Sequence, residues 1–566
     1  MLDYRFALVP YGTREVPLEL SRLRGNGGHK KDKAGNMGQF NNEIWFVGAE
    51  MAPLVKAGGL GDVMGSLPGV LLKADINVRV VIPYYKNLIP QNLIEIKESY
   101  PAGRVNFGEI PFEFGIKTGF AMGDIPIVLI EQNHFFNRED VYGSHGGVCA
   151  YKDNLWRYAM FAHGTAYAMK ILGIPLIVHA HDWSGGLVPA VIRQTLGDKK
   201  VLIEGTSEGI LNAKLGRRIN AKGLRPAIVF TIHNLAYQGV YGIDDFYDIG
   251  LDFRYNSSEA FEHFGTFNSL KGGIKLSDAV TTVSPTYSNE ITTPEFGFGL
   301  DGELEMFKRS GRLNGILNGI DLDYWNPKTD RLVSHNLNLK DDKYTLKDYK
   351  AWENFKAKNK KALFSDISMS LKTGPEGKPF PLIGVVSRLT EEKGIDEFLD
   401  SLFNWKDFPF QVVILGSGRD NIEDKANYLS KIYRDKVYAI TGSYNETLSH
   451  KIYAASDIFV MPSKFEPCGL SQMIAMRYGC VVAAADTGGL HDTVSDMTDL
   501  SEKNPSGILI KHANPDAVAW ALNALYNCYI EDGSKWHNLV INSANKHFGW
   551  GDSAKIYENL YYNIIK

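Results

Sequence analysis

The chain has 566 residues, of which 44% are hydrophobic and 22% charged, and its formal net charge at pH 7 is −4. This length exceeds what one hydrophobic core supports, so we expect at least two globular domains. A nearly neutral chain lacks the broad basic surface that binds nucleic acid or anionic lipid, so we expect neither partner. No apolar run approaches the roughly 18 residues needed to cross a bilayer. The cysteines have no spacing typical of a zinc site or a disulfide framework, which indicates a reducing compartment; they are Cys149, Cys468, Cys480 and Cys528.

The first 42 residues are basic and rich in glycine and asparagine, and they lack the apolar core of a signal peptide. We predict that residues 1–42 form a disordered extension. An atypical organelle-targeting segment and a translation start at Met37 are the alternatives. The expected location is therefore the cytoplasm, or a plastid if the extension is a targeting segment.

From Glu43 onward, short apolar runs alternate with helix-compatible sequence. The runs are IWFVGAE, VRVVIP, IPIVLIE, LIVHAHD, AIVFTIH and AVTTVSP in the first half, and PLIGVVSRL, FQVVILGSG, KVYAITGS, DIFVMPS, CVVAAADTGG and GILI in the second. Near-continuous apolar strands that alternate with helices predict parallel sheets covered on both faces. The predicted fold class is therefore α/β, with two doubly wound Rossmann-like domains that face each other across a cleft.

The predicted domains are residues 43–313 and residues 314–545, with a C-terminal helix in 546–566 that returns to the first domain. We expect the hinge between Arg312 and Gly319, where glycine and asparagine tolerate unusual backbone angles. Ligands of open α/β sheets bind beyond the carboxyl ends of the strands. The cleft between the two sheets is therefore the predicted site.

The stretch KAGGLGDV, Lys56 to Val63, follows the strand EIWFVGAE and leads into a helix expected to begin near Gly61 or Asp62. Glycine lets the backbone approach a ligand closely, free N–H groups at a helix start attract anions, and Lys56 adds a positive charge. This combination suits a diphosphate. Taken alone, such a loop is weak evidence for a ligand, since many strand-to-helix connections carry glycine only for tight packing. The phosphate motifs GxxxxGK[ST] and GxGxxG are absent from this stretch.

Seven motifs occur in a fixed order from Glu43 to the C-terminus. They are KAGGLGDV, HAHDW at His179, TIHNLAYQG at Thr231, VSPTY at Val283, SRLT with Lys393-Gly394, FEPCGL at Phe465, and TGGL at Thr487. Together they resemble the bacterial glycogen synthases and plant starch synthases, which are retaining glucosyltransferases with two Rossmann domains. The roles below are those that this resemblance implies.

The resemblance implies a nucleotide-sugar site for ADP-glucose. Arg388 and Lys393 bind the diphosphate, and their charges neutralise the leaving group. Tyr444 stacks on the adenine ring, although an aromatic residue in such a loop can also be a packing residue. The other implied contacts with ADP-glucose are Lys56, Gly58, Gly59, Asp62, Asn318, Cys468, Gly469, Leu470, Thr487 and Gly488.

The implied catalytic residues are Glu466, His233 and Asp182, together with Arg388 and Lys393. Glu466 follows the strand DIFVMPS and holds hydroxyls of the transferred glucose. Related transferases carry a second glutamate eight residues later, where this chain has Ile474. Glu466 is therefore the only carboxylate of this motif that can hold the transferred glucose. The alternative without a catalytic role is that Cys468 only fills space in the core and that His233 is a core histidine with its hydrogen bonds made. Lys271 in SLKGG is a further candidate for the cleft.

The implied reaction transfers glucose to the non-reducing 4-hydroxyl of an α-1,4-glucan, either glycogen or starch, and keeps the α configuration. No carboxylate is identifiable as the nucleophile of a covalent mechanism, so we expect front-face substitution. We expect no cofactor and no metal. The stretch His179-Ala180-His181-Asp182 is a possible source of metal ligands, but no further cluster of ligand residues is evident in the sequence to complete a site. Closure of the two domains would exclude water. The sequence leaves the oligomeric state open.

Leu196 to Gly223 is expected to be an insertion that is basic around Lys214 to Arg218. It is either an inert surface loop or a contact for glucan or a partner. Two other functions stay open at this point. One is a related transferase that uses UDP-glucose, and the other is a catalytically silent glucan-binding homologue.

Overall fold

The computed structural model describes residues 39–144, 149–203, 219–220, 223–374, 377–405 and 407–566. The predicted extension up to residue 38, and most of the predicted 196–223 insertion, lie outside these residues. No helix among the described residues is both long and apolar enough to cross a membrane.

The strands of the first domain are β1 (Gln39–Val47), β2 (Val78–Pro83), β3 (Ile94–Phe107), β4 (Ile110–Ala121), β5 (Ile125–Glu131), β6 (Gly143–Ser144), β7 (Cys149–Ala150), β8 (Ile174–His181), β9 (Ile219–Asn220), β10 (Ala227–Ile232), β11 (Val240–Gly242), β12 (Glu262–His263), β13 (Thr266–Asn268), β14 (Ala279–Thr282) and β15 (Leu313–Gly315). The helices are α1 (Gly59–Lys73), α2 (Asn133–Phe136), α3 (Asn154–Leu172), α4 (Asp182–Gly185), α5 (Val188–Leu196), α6 (Ser269–Lys275), α7 (Pro285–Glu290) and α8 (Asp301–Arg309).

The main sheet of this domain has the order β15-β14-β10-β8-β1-β2-β5-β4-β3, and β9 pairs with β1. The strands from β15 to β5 are parallel, and every residue of β8 and β10 is buried. Strands buried on both faces explain the continuous apolar runs in the sequence. The antiparallel hairpin β3–β4 at one edge was not predicted, because β3 is largely exposed, β4 is only partly buried, and neither strand carries a continuous apolar run.

The second domain contains the strands β16 (Leu382–Val386), β17 (Gln411–Leu415), β18 (Val437–Ile440), β19 (Ile458–Met461), β20 (Val481–Ala485) and β21 (Gly507–Ile510). Its helices are α9 (Tyr349–Asp366), α10 (Ile395–Asn404), α11 (Asp420–Ile432), α12 (Glu446–Ala455), α13 (Ser471–Arg477), α14 (Gly488–Thr493), α15 (Pro515–Glu531) and α16 (Gly533–Asn545). The sheet order is β18-β17-β16-β19-β20-β21, and all its pairings are parallel. The predicted fold class is therefore confirmed: the chain has two Rossmann-like domains.

The chain crosses between the domains twice. After β15, Ile320 donates its backbone N–H to Phe548 O at 2.8 Å, so the two crossings lie side by side. The last helix, α17 (Gly551–Ile565), then packs on the first domain, where the hydroxyl of Tyr561 lies 2.7 Å from Nδ1 of His179. The first sheet begins at Gln39 and includes β15, so it extends four residues before and two residues beyond the predicted limits of 43 and 313.

Candidate active site

The glycine loop is shaped by a buried carboxylate at the end of β1. Oε2 of Glu50 accepts the backbone N–H groups of Ala57 and Gly58 at 2.7 and 2.8 Å, and Oε1 accepts the hydroxyl of Tyr142 at 2.7 Å. Burial raises the pKa of Glu50, while these hydrogen bonds lower it. Helix α1 begins at Gly59, two residues before the start expected from the sequence, and Gly58 is its N-cap. Glu50 thus fixes the backbone that precedes the helix.

Lys56 stands beside this loop and faces the second domain. Its Nζ lies 2.7 Å from Oδ1 of Asp62, which is in the first turn of α1. Lys56 also interacts electrostatically with Tyr444 and Glu446, so the loop before α12 lies opposite the glycine loop. The ring of Tyr444 is half exposed, and its hydroxyl is 3.0 Å from Oγ of Ser449. An exposed aromatic ring held in this way leaves a face free for stacking.

His181, Asp182 and His233 come together at the carboxyl ends of β8 and β10. Nδ1 of His181 lies 3.0 Å from Nε2 of His233, so one ring donates a hydrogen bond to the other. Oδ1 of Asp182 accepts the backbone N–H of His233 at 2.9 Å. Burial lowers the pKa of His233 to about 3 and raises the pKa of Asp182 to about 7. The ring of His233 is therefore neutral at physiological pH.

Asp182 has a positive φ of 55°, which is uncommon for a residue with a side chain. Strained backbone of this kind concentrates at functional sites, where the surrounding structure holds it in place. Here the carboxylate is held by the backbone N–H groups of His233 and Asn234, at 2.9 and 3.5 Å. This backbone conformation places the carboxylate of Asp182 against the turn that follows β10.

Glu466 and Lys393 form an ion pair in the second domain. Nζ of Lys393 lies 2.8 Å from Oε1 and 2.7 Å from Oε2 of Glu466, and Oγ of Ser463 donates to Oε2 at 3.0 Å. The side chains are only 15% and 8% exposed. The sequence predicted both residues for the site but not their contact. The carboxylate is thus fixed in orientation by a cation and a hydroxyl group.

Arg388 reaches across the cleft to the first domain. Its NH1 donates to the hydroxyl of Tyr237 at 3.0 Å, and its NH2 is paired with Glu392. Tyr237 belongs to the motif TIHNLAYQG. The predicted diphosphate-binding arginine therefore also links the two halves of the cleft.

The motif FEPCGL continues past Glu466 into the start of α13. Burial raises the pKa of the Cys468 thiol to about 12, against a hydrogen bond with the backbone of Asn318 that lowers it, so the thiol is uncharged at neutral pH. Asn318 is buried, and its Oδ1 has no hydrogen-bond partner among the described residues. Gly469 has a φ of 68°, and Leu470 is the N-cap of α13. Cys468, two residues after Glu466, thus lies against Asn318.

Thr487 and Gly488 contact the first domain. Oγ1 of Thr487 and the backbone N–H of Gly488 both donate to Oε1 of Glu290, each at 2.9 Å. The Nζ of Lys271 donates to Glu262 O at 2.7 Å and lies 3.9 Å from Oε1 of Glu303, both in the first domain. Sequence reasoning placed Thr487 and Gly488 on ADP-glucose, and the structure adds that both are engaged by a carboxylate across the domain boundary.

Four residues that shape this cleft were not predicted from the sequence. Glu50, Tyr142, Tyr237 and Glu290 all act through contacts with residues distant in the chain. One signal was present: Glu50 is a carboxylate three residues after a largely buried strand and six residues before Lys56 of the glycine loop. Within the described part of the chain, no three His, Cys, Asp or Glu side chains are placed to hold a metal ion.

Comparison with known proteins matches both halves of the chain. A model of the starch synthase catalytic domain matches residues 43–206 and 211–306, and a model of glycosyl transferases group 1 matches residues 371–544. Glycogen synthase of Geotalea daltonii is 36% identical over 524 residues, which cover 92% of this chain and 99% of the relative. Glycogen synthase 2 of Geobacter sulfurreducens is 35% identical over 525 residues, which cover 92% and 98%.

Solved structures agree with these relatives. The catalytic domain of starch synthase IV from Arabidopsis thaliana, bound to ADP and acarbose, has a TM-score of 0.77 and 31% identity, with coverage of 93% of this chain and 99% of that one. Two Rossmann-like domains with these matches define a glycosyltransferase of the GT-B fold. The chain belongs to the glycogen synthase and starch synthase family, as its motifs predicted.

Proposed function

We propose that the protein transfers glucose from ADP-glucose to the 4-hydroxyl at the non-reducing end of an α-1,4-glucan, with retention of the α configuration. The observation that carries this proposal is the largely buried Lys393–Glu466 pair, formed by the segments that follow β16 and β19. A carboxylate held by a cation and by Ser463 is preorganised to accept hydrogen bonds from sugar hydroxyls. The named ligands of the Arabidopsis structure, ADP and acarbose, support a nucleotide and a glucan chain for this cleft.

The donor would lie between the glycine loop and the loop of Tyr444. Lys56 and the N-terminus of α1 offer positive charge to the diphosphate from one side, and Arg388 and Lys393 offer it from the other. Tyr444 offers a ring face to the base. These groups favour a nucleoside diphosphate sugar as the donor, and the family resemblance favours ADP-glucose over UDP-glucose.

The reaction we propose is a front-face substitution. The bond between the anomeric carbon and the phosphate oxygen breaks, and the bond to the acceptor O4 forms on the same face of the sugar. The acceptor proton passes to the departing diphosphate, so ADP leaves with the electron pair of the broken bond. Arg388 and Lys393 stabilise the negative charge of ADP as it develops. The neutral His233 and the carboxyl of Asp182 would orient the transferred glucose and the acceptor without adding a positive charge.

The test is nucleoside diphosphate release from ADP-glucose and from UDP-glucose, each with and without glycogen. We expect glycogen-dependent release of ADP, and a fall of at least about 100-fold in kcat for Glu466→Gln, which loses the charged hydrogen-bond acceptor. Glu295→Gln is the matched control, because this glutamate is exposed on the surface. Faster turnover of UDP-glucose would overturn the donor assignment, and no glycogen-dependent release from either donor would favour a silent glucan-binding protein.

Metal dependence is tested in the same assay. We propose that no metal ion is required, because Arg388, Lys393 and Lys56 together supply the positive charge that a diphosphate leaving group needs. Turnover should therefore be unchanged after dialysis against EDTA. A loss of activity that is restored by Mg²⁺ or Mn²⁺ would contradict this expectation.

A further inference from the structure

Helix α7 of the first domain is hydrogen-bonded to the second domain next to Glu466. Thr286 donates its backbone N–H and its hydroxyl to Asp492 of α14, at 2.9 and 2.7 Å. At the other end of α7, Oε1 of Glu290 accepts from Oγ1 of Thr487 and from the backbone N–H of Gly488, each at 2.9 Å. The second oxygen, Oε2 of Glu290, is buried without a hydrogen-bond partner among the described residues. One oxygen atom of Glu290 therefore accepts both hydrogen bonds of this side chain, from the segment Thr487–Gly489 in which the loop after β20 passes into α14.

That loop lies directly against the backbone of Glu466. Gly489 donates its N–H to Glu466 O at 3.0 Å. Gly488 has a φ of 45°, and a Cβ at this position would lie only 2.0 Å from Glu466 O. A side chain at position 488 would collide with the Glu466 carbonyl group. Because the two backbone segments are in direct contact, a shift of the loop must also shift the Glu466 backbone.

A second bond from the same helix region reaches the residue after Glu466. The hydroxyl of Ser284, the N-cap of α7, donates to Pro467 O at 2.7 Å. Ser284 is fully buried. The backbone from the Glu466 carbonyl group to the Pro467 carbonyl group is thus fixed, directly or through Thr487–Gly489, by residues of the opposite domain.

We propose that Glu290 is a positioning residue, which sets the Glu466 carboxylate through Thr487, Gly488 and Gly489 and thereby makes the sugar site complete only when the two domains are closed. This inference rests on the proposed function, since it assigns Glu466 to the transferred glucose. Glu290 itself touches no reacting atom. We assign the implied contacts of Thr487 and Gly488 with ADP-glucose to its glucose part, next to Glu466. Glu290 is therefore expected to affect the transfer step and not the binding of ADP, for which Arg388 and the ring of Tyr444 lie on other loops.

The test compares Glu290→Ala with Glu290→Gln. Alanine removes both hydrogen bonds, and we expect kcat to fall about 10- to 100-fold, as a misplaced catalytic group does. The inhibition constant of ADP, which lacks glucose, should change less than about twofold. Glutamine keeps Oε1 as the acceptor of both bonds and puts its amide nitrogen where Oε2 has no partner, so it should restore kcat to within about threefold of wild type.

Asp492→Ala is the matched control, because it removes two hydrogen bonds between the same two helices but none to Thr487–Gly489. Its kcat should fall less than about threefold, while its thermal stability falls as much as that of Glu290→Ala. Equal losses of kcat in Asp492→Ala and Glu290→Ala would overturn the inference in favour of general domain contact. So would a Glu290→Gln enzyme as slow as Glu290→Ala, or an ADP inhibition constant that rises with the loss of kcat.

Turnover by the wild-type protein distinguishes a failure of the proposed function from a failure of the positioning role of Glu290. If the wild-type protein transfers no glucose from either donor, the proposed function fails. If wild type is active and Glu290→Ala equals it, the positioning role alone fails.

Discussion

The ammonium group of Lys393 lies between the two carboxylate oxygens of Glu466, at 2.8 and 2.7 Å, and both side chains are more than four-fifths buried. In water-excluded surroundings, removing one member of such a pair leaves an uncompensated charge, which costs more than the pair contributes. The pair therefore couples the stability of the second domain to the chemistry of the cleft.

Lys393→Met should lower the free energy of unfolding by about 3–5 kcal/mol, because the Glu466 carboxylate then lacks its cation. Adding Glu466→Gln to this variant should recover part of the loss, since the glutamine carries no charge to compensate. Urea unfolding of the two single variants and the double variant gives the coupling energy. Additive losses would show that the two side chains do not stabilise each other.

The hydrogen bond between Arg388 and Tyr237 should order the arginine for the donor. Tyr237→Phe removes the hydroxyl group that accepts this hydrogen bond. We expect the KM for ADP-glucose to rise about 3- to 10-fold, which corresponds to the loss of one hydrogen bond. The kcat should change little, because Arg388 itself remains. Initial rates over a range of donor concentrations test this, with Tyr247→Phe, an exposed tyrosine, as the control. An unchanged KM would mean that Arg388 is already ordered by Glu392.

The contact of Glu50 with the glycine loop makes a separate prediction. Glu50→Ala leaves the N–H groups of Ala57 and Gly58 without their acceptor, so the loop should lose its position and kcat/KM for the donor should fall at least about 10-fold. Tyr142→Phe removes only the hydroxyl that donates to the other carboxylate oxygen, and its loss should be at most about threefold. Steady-state kinetics of both variants check the order. A larger loss in Tyr142→Phe would contradict this order and would indicate that Glu50 acts through its charge and not by holding the loop.

Much of the fold could be predicted from the sequence because parallel strands buried on both faces leave continuous apolar runs. Each of the twelve runs in the sequence contains all or part of a strand of one of the two sheets. The β3–β4 hairpin left no such signal, since it lies at an exposed edge. Strand β15 was missed because its three residues are only partly buried and include asparagine and glycine.

The position of the candidate site at the carboxyl ends of the strands could be predicted where a motif is contiguous in sequence, as around Lys56, His233 and Glu466, and the roles of these residues stay predictions. The contacts that position these residues were not, because their partners lie in distant parts of the chain. Glu290 precedes Gly488 by 198 positions, and Tyr237 precedes Arg388 by 151. No local pattern encodes such pairings, which follow from the packing of one domain against the other.

The buried histidines predict how stability depends on pH. Burial lowers the pKa of His179 well below its ordinary value, and the pKa values of His181 and His233 are lowered for the same reason. Below the ordinary pKa of about 6.5 the unfolded chain binds protons that the folded protein does not, so this contribution to stability is complete above about pH 6.5 and is lost as the pH falls. His179→Gln removes one of these groups. Between about pH 6 and 4 its free energy of unfolding should therefore fall less steeply than that of wild type, by up to about 1.4 kcal/mol per pH unit.

Asp182 provides the control of opposite sign. Burial raises its pKa to about 7, so its contribution to stability is complete below its unfolded pKa and is lost as the pH rises through about 7. Asp182→Asn keeps an oxygen to accept the N–H of His233 but removes the titration, so the acid-side loss should become steeper than in wild type. Urea unfolding at a series of pH values measures both slopes. Identical slopes in wild type and His179→Gln would show that His179 binds a proton equally well in the folded and unfolded chains.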